Sequence, residues 1–554
     1  MIPTPDLAAR LARRLIRSAY APLRAWRLVL MGLLIVVTTI CGMWAVAERY
    51  RMAGTVPSLA QATDFVYAPF LYLVPQFSLA NGAALTLTEI IARTTGPLIA
   101  FLSVFWLLRQ RLLVWLARWL AAHWMNGHAV IFGQGTSADA LALASSAAGE
   151  IVVLVDLELL EEEDRLQALG MAGVITLPGL PASLAAAGAV VVWQGSDTDN
   201  IAMAAALRGD HALQVAEIDL LVGSAALQSA LLQSPDLMLD KHVRLRPHAL
   251  SGAAMRTVLA NPQMAELAIA QHQPRVTLCL WGLSDALVWA AQIALQQFWS
   301  VRLDAPRVVW AGVPAETVLP DALVQLSRHA EAVFGAGDGC PQVTILAADA
   351  ACEAADITCH LVDAGDADAT LALAFALAAR LRQEHSTPPP VQPILNASCA
   401  IGPLFATDKL VFLPPIIPGA GVTVSTLRRR EADQKAAEIH LAYDRQFGGG
   451  GTAPASGRWQ DLPETYVAAN RAAADHLAVK QWDAATSGLE GEALIEALAQ
   501  AEHSRWSAER LLAGWAPAGD GPRDNARRLH PDLRPWAMLG EEVREKDRDA
   551  VGTI

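Results

Sequence analysis

The sequence predicts a membrane α-helical hairpin, then two α/β units in tandem, then a small, mainly α-helical C-terminal domain. Three observations carry this. Leu28 to Ala47 (LVLMGLLIVVTTICGMWAVA) holds no charge and is long enough, at roughly 1.5 Å per residue, to cross a hydrocarbon core of about 30 Å. A second apolar stretch ends near Trp124, and a strand with a glycine turn, HAVIFGQGTSADALALA, starts only a few residues later at His128. Past residue 458 the Ala- and Val-rich chain gives way to a segment rich in charge and Trp.

The first 27 residues form a basic amphipathic segment, with Leu7, Leu11 and Leu15 at helical spacing between arginines, suited to an anionic leaflet. Residues 28–125 hold the hairpin. Its second span runs from about Pro97 to Leu108 and continues past Arg109 and Arg111 into LLVWLARWLAAHW. Arg10, Arg13, Arg14, Arg17, Arg24 and Arg27 precede the first span, and Arg109, Arg111 and Arg118 follow or end the second. This bias puts both termini in the cytoplasm of a bacterial inner (plasma) membrane, with the lipid bilayer as partner. Cys41-Gly42-Met43-Trp44 followed by Glu48 does not suit a cleaved signal peptide.

The joining segment, 48–96, reads as a re-entrant or periplasmic loop. It lacks a TVGYG-like filter, so potassium selectivity is not implied. Its polar candidates for a pore lining or mouth are Gln76, Ser78, Asn81, Thr86, Thr88 and Glu89. Two spans cannot enclose a pathway alone, so conduction requires a homo-oligomer, a tetramer most simply and a dimer as the alternative.

Residues 1–125 carry 12 Arg and 4 acidic groups, which leaves the remainder at about −21 within a total of −13. So acidic a cytoplasmic portion excludes nucleic acid as a partner. The six cysteines include no CxxC pair and no His at metal spacing, and read as reduced thiols.

Residues 126–272 form the first α/β unit. Gly133-Gln134-Gly135-Thr136-Ser137-Ala138 matches G-x-G-x-x-G/A between a strand and an Ala-rich helix, a turn that lets backbone approach a phosphate at a helix N-terminus. A second strand, EIVVLVDLE, brings Asp156 about 20 residues later, where a carboxylate can bind a ribose hydroxyl. A further strand ends at Gln194-Gly195-Ser196-Asp197, with Asn200 opening the next helix. This run is similar to the TrkA-N or RCK family, cytoplasmic Rossmann-like domains that regulate potassium channels and transporters. The resemblance implies a ligand facing Gly133, Gly135, Ala138, Asp156, Asp197 and Asn200, with NAD(H) or another adenine nucleotide as the cofactor. Leu177-Pro178-Gly179-Leu180 departs from the family's usual G-D-A-T and removes a polar pair.

Residues 273–405 repeat the unit in order, from RVTLCLWGLSDALVWAA to QPILNAS. This copy resembles a degenerate TrkA-N domain: Gly282-Leu283-Ser284-Asp285-Ala286 lacks the second glycine, and its second strand ends in Trp310-Ala311-Gly312 without an acid. His360, inside an apolar strand, reads as a core histidine. Residues 406–457 form a connector with a helical stretch, READQKAAEIHLAYDRQF, and a Gly-rich linker.

Residues 458–554 carry Glu502-His503-Ser504-Arg505-Trp506, Gly514-Trp515, His530-Pro531-Asp532-Leu533 and Lys546-Asp547-Arg548 in order. Together these closely resemble the RyR domain, named for its repeats in ryanodine receptors; GWAPAGD stands where that family often has a Tyr-Gly pair. Arg505, Trp506, Arg510, Trp515, His530 and Trp536 are the candidates for stacking a base and pairing a phosphate.

No metal triad, activated nucleophile or paired acid and base stands at a recognisable spacing, so a non-enzymatic role is expected. The sequence reads as a ligand-gated, ion-channel-like membrane protein related to RCK-regulated potassium conductances, its ligand a nucleotide or nucleotide-derived small molecule. The alternatives are a nonconducting membrane-tethered nucleotide sensor and a membrane-disrupting stress or defence effector triggered at the RyR domain. An NAD-dependent enzyme ranks last.

Overall fold

A computed structural model describes the chain apart from residues 1–6, 22–24, 57, 59–62, 64, 66–71, 73–85, 157–161, 180–185, 210–216, 233–242, 396–411, 418–421, 429, 448–457, 460–461 and 553–554. Gln76, Ser78, Asn81 and the Gly-rich part of the linker lie outside the described residues. The chain opens with α1 (Leu7–Tyr20), α2 (Ala25–Met52) and α3 (Leu87–His123). Strands and helices then alternate: β1 (Ala129–Gly133), α4 (Gly135–Ala147), β2 (Val152–Val155), α5 (Glu163–Ala172), β3 (Ile175–Leu177), β4 (Ala189–Trp193), α6 (Asp197–Gly209), β5 (Glu217–Leu221), α7 (Ala225–Leu232) and β6 (Arg244–His248). Contacts divide the molecule into two units, Pro3–His128 with Ile151–Ala182, and Ala129–Glu150 with Ser183–Ile554.

In the first unit, α2 and α3 pair along their length. The Thr38 and Thr95 hydroxyls meet at 2.7 Å between them, and Glu89, 3% exposed, is ion-paired with Arg49 and with Arg93. Much of the apolar surface faces outward, Val29, Leu33, Ile40, Trp44 and Phe101 among it. Val29–Met52 and Leu87–Phe105 are long and apolar enough to cross a membrane. The helix carrying the second segment begins ten residues before Pro97, because Thr86 caps it by accepting from the Glu89 N–H at 3.3 Å.

The basic helix α1 gives its small face to α3: Ala9, Ala12, Ile16 and Ala19 are buried, while Leu7 and Leu11 stay exposed. Alanines at this spacing let two helices approach closely. Helix α1 also grips α5. Arg17 donates to the Ala172 carbonyl at 3.2 and 3.0 Å, and the Tyr20 ring lies where a Cβ on Gly170 would be, 2.0 Å from Cδ2. Arg118 of α3 donates to the Thr176 carbonyl at 2.8 Å, beside the parallel β2–β3 pair.

In the second unit, β1-β4-β5-β6 form a parallel ladder in that order. Val190, Val191 and Val192 in β4 are wholly buried, as expected of a parallel strand covered on both faces. The connector does not hang free of this ladder. Its short helix Val424–Leu427 donates from Val424 N to Ser145 Oγ at 2.9 Å, and Arg428 pairs with Asp219 and Glu217, each at 2.9 Å. Asp219 is fully buried; burial raises its pKa, but the His248 hydrogen bond and then Arg428 pull it down to about 2.

After α8 (Leu250–Leu259) and α9 (Gln263–Ala270), a second run of alternating strands and helices follows. It comprises β7 (Thr277–Trp281), α10 (Asp285–Gln297), β8 (Arg307–Ala311), α11 (Asp321–Phe334), β9 (Gln342–Leu346), α12 (Ala348–Glu353), β10 (Cys359–Val362), α13 (Ala367–Glu384) and β11 (Val391–Pro393). All its strands are parallel, in the order β9-β8-β7-β10-β11. This is the Rossmann-like 3-2-1-4-5 arrangement. His360 is a core residue: its Nδ1 accepts from Trp281 Nε1 at 3.0 Å, and burial pushes its pKa down to about 3.

Past α14 (Val424–Leu427), five helices follow: α15 (Arg430–Phe447), α16 (Glu464–Asp475), α17 (Leu477–Thr486), α18 (Gly491–Leu512) and α19 (Glu541–Val551). Helix α18 shares one hydrophobic core with the second Rossmann-like lobe, in which its Ala508, Leu511 and Leu512 join Ala290, Ile293 and Ala294 of α10 and Leu323 and Leu326 of α11. Polar contacts reinforce it. Asp483 accepts from Ser300 Oγ at 2.7 Å and Val301 N at 3.0 Å, and Arg256 pairs with Asp475 at 2.9 Å.

The turn after β7 is closed. Gly282 has φ +117°, a Cβ there would sit 1.9 Å from the Asp363 carbonyl oxygen, and Trp310 Nε1 donates to the Gly282 carbonyl at 2.8 Å. Gly282→Ala is therefore expected to destabilise the protein by about 3 kcal/mol or more, whereas Gly335→Ala, at φ +85° with open space around it, should cost about 1–2 kcal/mol. Denaturant midpoints followed by Trp fluorescence check this; equal shifts for the two variants would count against the closed turn.

Candidate functional site

Two places in the second unit gather the residues singled out above. At the first glycine turn, Gly133 is required for packing: a Cβ would lie 2.5 Å from Ala138 Cβ and 2.7 Å from the Trp193 carbonyl. Gly135, at φ +77° with nothing around it, serves the turn. Gln134 at the N-cap of α4 makes no side-chain cap, so the helix start keeps donors for an anion.

Asp197 and Asn200 stand at the end of β4 beside this turn, but their polar atoms are engaged within the protein. Asp197 accepts from the Gly223 and Ser224 N–H groups at 2.7 and 3.0 Å, holding the turn after β5. Asn200, 1% exposed, accepts from Gln194 N and donates to the Leu221 carbonyl at 3.0 Å. These two residues brace neighbouring strand ends. Asp156 belongs to the first unit, where it is buried and ion-paired with Arg165 at 2.9 Å. The described pore candidates are similarly employed: Thr86 caps α3, Thr88 donates to Glu48 at 2.8 Å, and Glu89 joins Arg49 and Arg93.

The stronger site is a cavity of about 430 Å³ in the C-terminal helices. Arg505, Trp506 and Arg510 line it from α18, and His530 lines it from the loop beyond. These side chains sit at positions 505, 506 and 510 of a helix buried almost all round, so they converge on one face only because α16 and α19 wall in the space. Arg505 is 2% exposed; it grips Glu502 through Nε and Nη2 at 3.0 and 2.8 Å, and its Nη1 is buried with no hydrogen-bond partner among the described residues.

The aromatic groups form a layered wall. Trp506 meets His530 edge-on at 5.0 Å between centroids. Trp515 lies behind, 6.0 Å from His530, with the Arg510 and Arg523 guanidiniums 5.8 and 5.4 Å from its ring. It supports the cavity without lining it. Trp536 is also set back, donating to Glu496 at 3.1 Å and stacked by Arg544 at 5.7 Å.

The structure adds lining residues that were not among the ligand candidates: Tyr466 and Asn470 on α16, Arg523, Lys546 on α19, and His440 and Tyr443 on α15. Arg523 donates to the Tyr466 hydroxyl at 2.8 Å. Tyr466 and Asn470, four apart, share a helix face, as do His440 and Tyr443; that spacing was the available signal. Arg505, Arg510, Arg523 and Lys546 line it together with Glu502, Asp532 and Asp547, a small excess of positive charge. Burial, then Arg523, Arg510 and Lys546, push His530 down to about 3.

Residues 488–554 match the family model of the RyR domain. No curated protein matches the chain. Among solved structures, GsuK bound to ADP is similar at 16% identity over 70% of this chain and 93% of that one, with a TM-score of 0.31. The GsuK channel bound to NAD is similar at 14% identity over 75% and 84%, with a TM-score of 0.33.

A depressed histidine pKa has a definite sign. The unfolded chain takes up this proton near the ordinary value of about 6.5, so the stability tied to neutral His530 is fully present above that pH and declines as pH falls towards 3. In ¹⁵N-histidine NMR spectra, His530 should remain neutral at pH 5. A bound anion that neutralises Arg510 and Arg523 should raise its pKa; titration near 6.5 in the unliganded protein would contradict the positive field.

Proposed function

We propose that the chain is a ligand-gated, ion-channel-like protein of a bacterial inner membrane, related to RCK-regulated potassium conductances, with both termini cytoplasmic and a homotetrameric assembly. The ligand is a nucleotide or nucleotide-derived small molecule, and the role is binding and gating rather than catalysis. The observation that carries this reading is the buried cationic and aromatic cavity, where Trp506, Tyr466 and His530 offer faces for a base and Arg510, Arg523 and Lys546 offer charge for a phosphate. Support for the membrane part comes from two long apolar helices whose most apolar stretches are only 22% buried, far less than a soluble core helix buries. An adenine nucleotide such as NAD(H) at the turn of Gly133 and Gly135 belongs to the same proposal.

One observation favours a second reading, a nonconducting membrane-tethered nucleotide sensor. Thr86, Thr88 and Glu89 are occupied by contacts between α2 and α3, which leaves them poorly placed to line a pathway. The membrane-disrupting effector shares the same trigger site and differs only in its output.

Full-length protein in nanodiscs, titrated with ATP, ADP, NAD and cyclic dinucleotides under native mass spectrometry, tests the proposal. At least one of these should bind, with a tetramer as the assembly, and Arg510→Ala and Trp506→Ala should each weaken binding about tenfold or more. In proteoliposomes the same ligand should open an ion flux that both variants lose. Binding without flux from a smaller oligomer selects the tethered sensor, leakage of large dyes selects the effector, and binding of no nucleotide removes the proposal.

A further inference from the structure

A second cavity, of about 160 Å³, lies elsewhere in the same unit, where α7, α8 and α10 of the two Rossmann-like lobes meet α16 and α18. Gln228, Trp289 and Gln297 line it. Gln228 Nε2 donates to the Pro247 carbonyl at 2.9 Å, and Gln297 Nε2 donates to the Ala472 carbonyl at 3.2 Å. A carbonyl oxygen only accepts, so in both side chains the nitrogen must face it and the amide orientation is fixed.

The two Oε1 atoms are then committed to the other side. Both are buried without a hydrogen-bond partner among the described residues, and so is Trp289 Nε1. Gln228 is 8% exposed and Gln297 is 1% exposed, so bulk water does not serve them. Two cations, Arg256 and Arg471, and two acids, Asp475 and Glu509, stand on its wall, and Arg256 pairs with Asp475 at 2.9 Å. His248, also at the wall, is held through Nε2 by Asp219 at 2.8 Å. The neutral buried groups left over on this wall are thus two acceptors and one donor, in a setting where two cations face two acids.

We propose that this cavity is a second ligand site, for a small uncharged molecule that carries a pair of N–H donors beside an acceptor. A primary carboxamide supplies this set from one group, its two N–H bonds facing Gln228 and Gln297 and its oxygen accepting from Trp289. The donor and acceptor edge of a free nucleobase supplies the same set. Because its walls come from both lobes and from the C-terminal helices, a ligand here would stabilise their mutual packing.

Isothermal titration of the full-length protein in detergent with nicotinamide and, separately, with adenine tests the site. Binding of nicotinamide alone identifies the carboxamide, binding of adenine alone identifies the base edge, and binding of both supports the shared chemistry. Gln297→Met and Trp289→Phe should each weaken that binding about tenfold, and a thermal melt verifies that each variant is folded; Trp289→Phe keeps the ring volume and serves if Gln297→Met does not fold. Arg523→Ala, an exposed residue that lines the C-terminal cavity and not this one, should leave the affinity unchanged, so this result stands apart from the nucleotide test. The inference is overturned if neither probe binds at millimolar concentration, or if binding is indifferent to both Gln297→Met and Trp289→Phe.

Discussion

Much of the C-terminal half depends on how one buried carboxylate is kept charged. Glu502 is 5% exposed, and burial by itself raises its pKa; Arg505 and Lys480, the latter at 2.8 Å, hold it well below the usual range. The cluster sits in the middle of α18, between the core shared with the second lobe and the cationic cavity. Removing one member of such a cluster leaves an uncompensated buried charge, at a cost of about 3–5 kcal/mol. The same bonds orient Arg505, whose Nη1 remains for the cavity. The charge that organises the helix therefore also sets the field of the site.

The two Rossmann-like lobes have diverged in how they treat their first turn. In the first lobe Gly133 admits α4 close to β1, and the helix start keeps its donors. In the second, the Asp363 carbonyl and the Trp310 indole fill the corresponding space. The filled turn leaves the second lobe as a packing platform, and its helices α10 and α11 carry the C-terminal helices.

Much of this was legible before the structure. Alternating strands and helices, the departure of the second turn from the first and the core nature of His360 follow from local rules: glycine spacing, a missing acid, an apolar run. The site was legible only in part. The structure places Arg505, Trp506, Arg510 and His530 on one cavity, whereas Trp515 and Trp536 stand behind the wall. Helical spacing reveals a face without revealing its partner, so Tyr466, Asn470 and the connector residues His440 and Tyr443 escaped notice. Arg428 escaped for the same reason: nothing in the sequence around it marks Asp219, some 200 residues earlier, as its counter-ion.

Asp197 and Asn200 show the limit of motif transfer. Their spacing after β4 is compatible with facing a ligand, yet the same atoms satisfy backbone N–H and C=O groups at the ends of β4 and β5, and a buried backbone group without a partner is costly. A polar residue at a strand end can therefore be fixed by the scaffold alone. The first unit poses the complementary case. There α1 joins the apolar hairpin to α5 through Arg17 at the Ala172 carbonyl and Tyr20 on Gly170, while α3 reaches β3 through Arg118 and Thr176. Relative movement of the hairpin and this α/β segment must break those contacts together, since Gly170 leaves no slack for the Tyr20 ring to slide. In the gated reading, a ligand shifts the membrane helices only by its differential affinity for two arrangements of these contacts, so the stiffness of this joint determines how much of that difference reaches the hairpin.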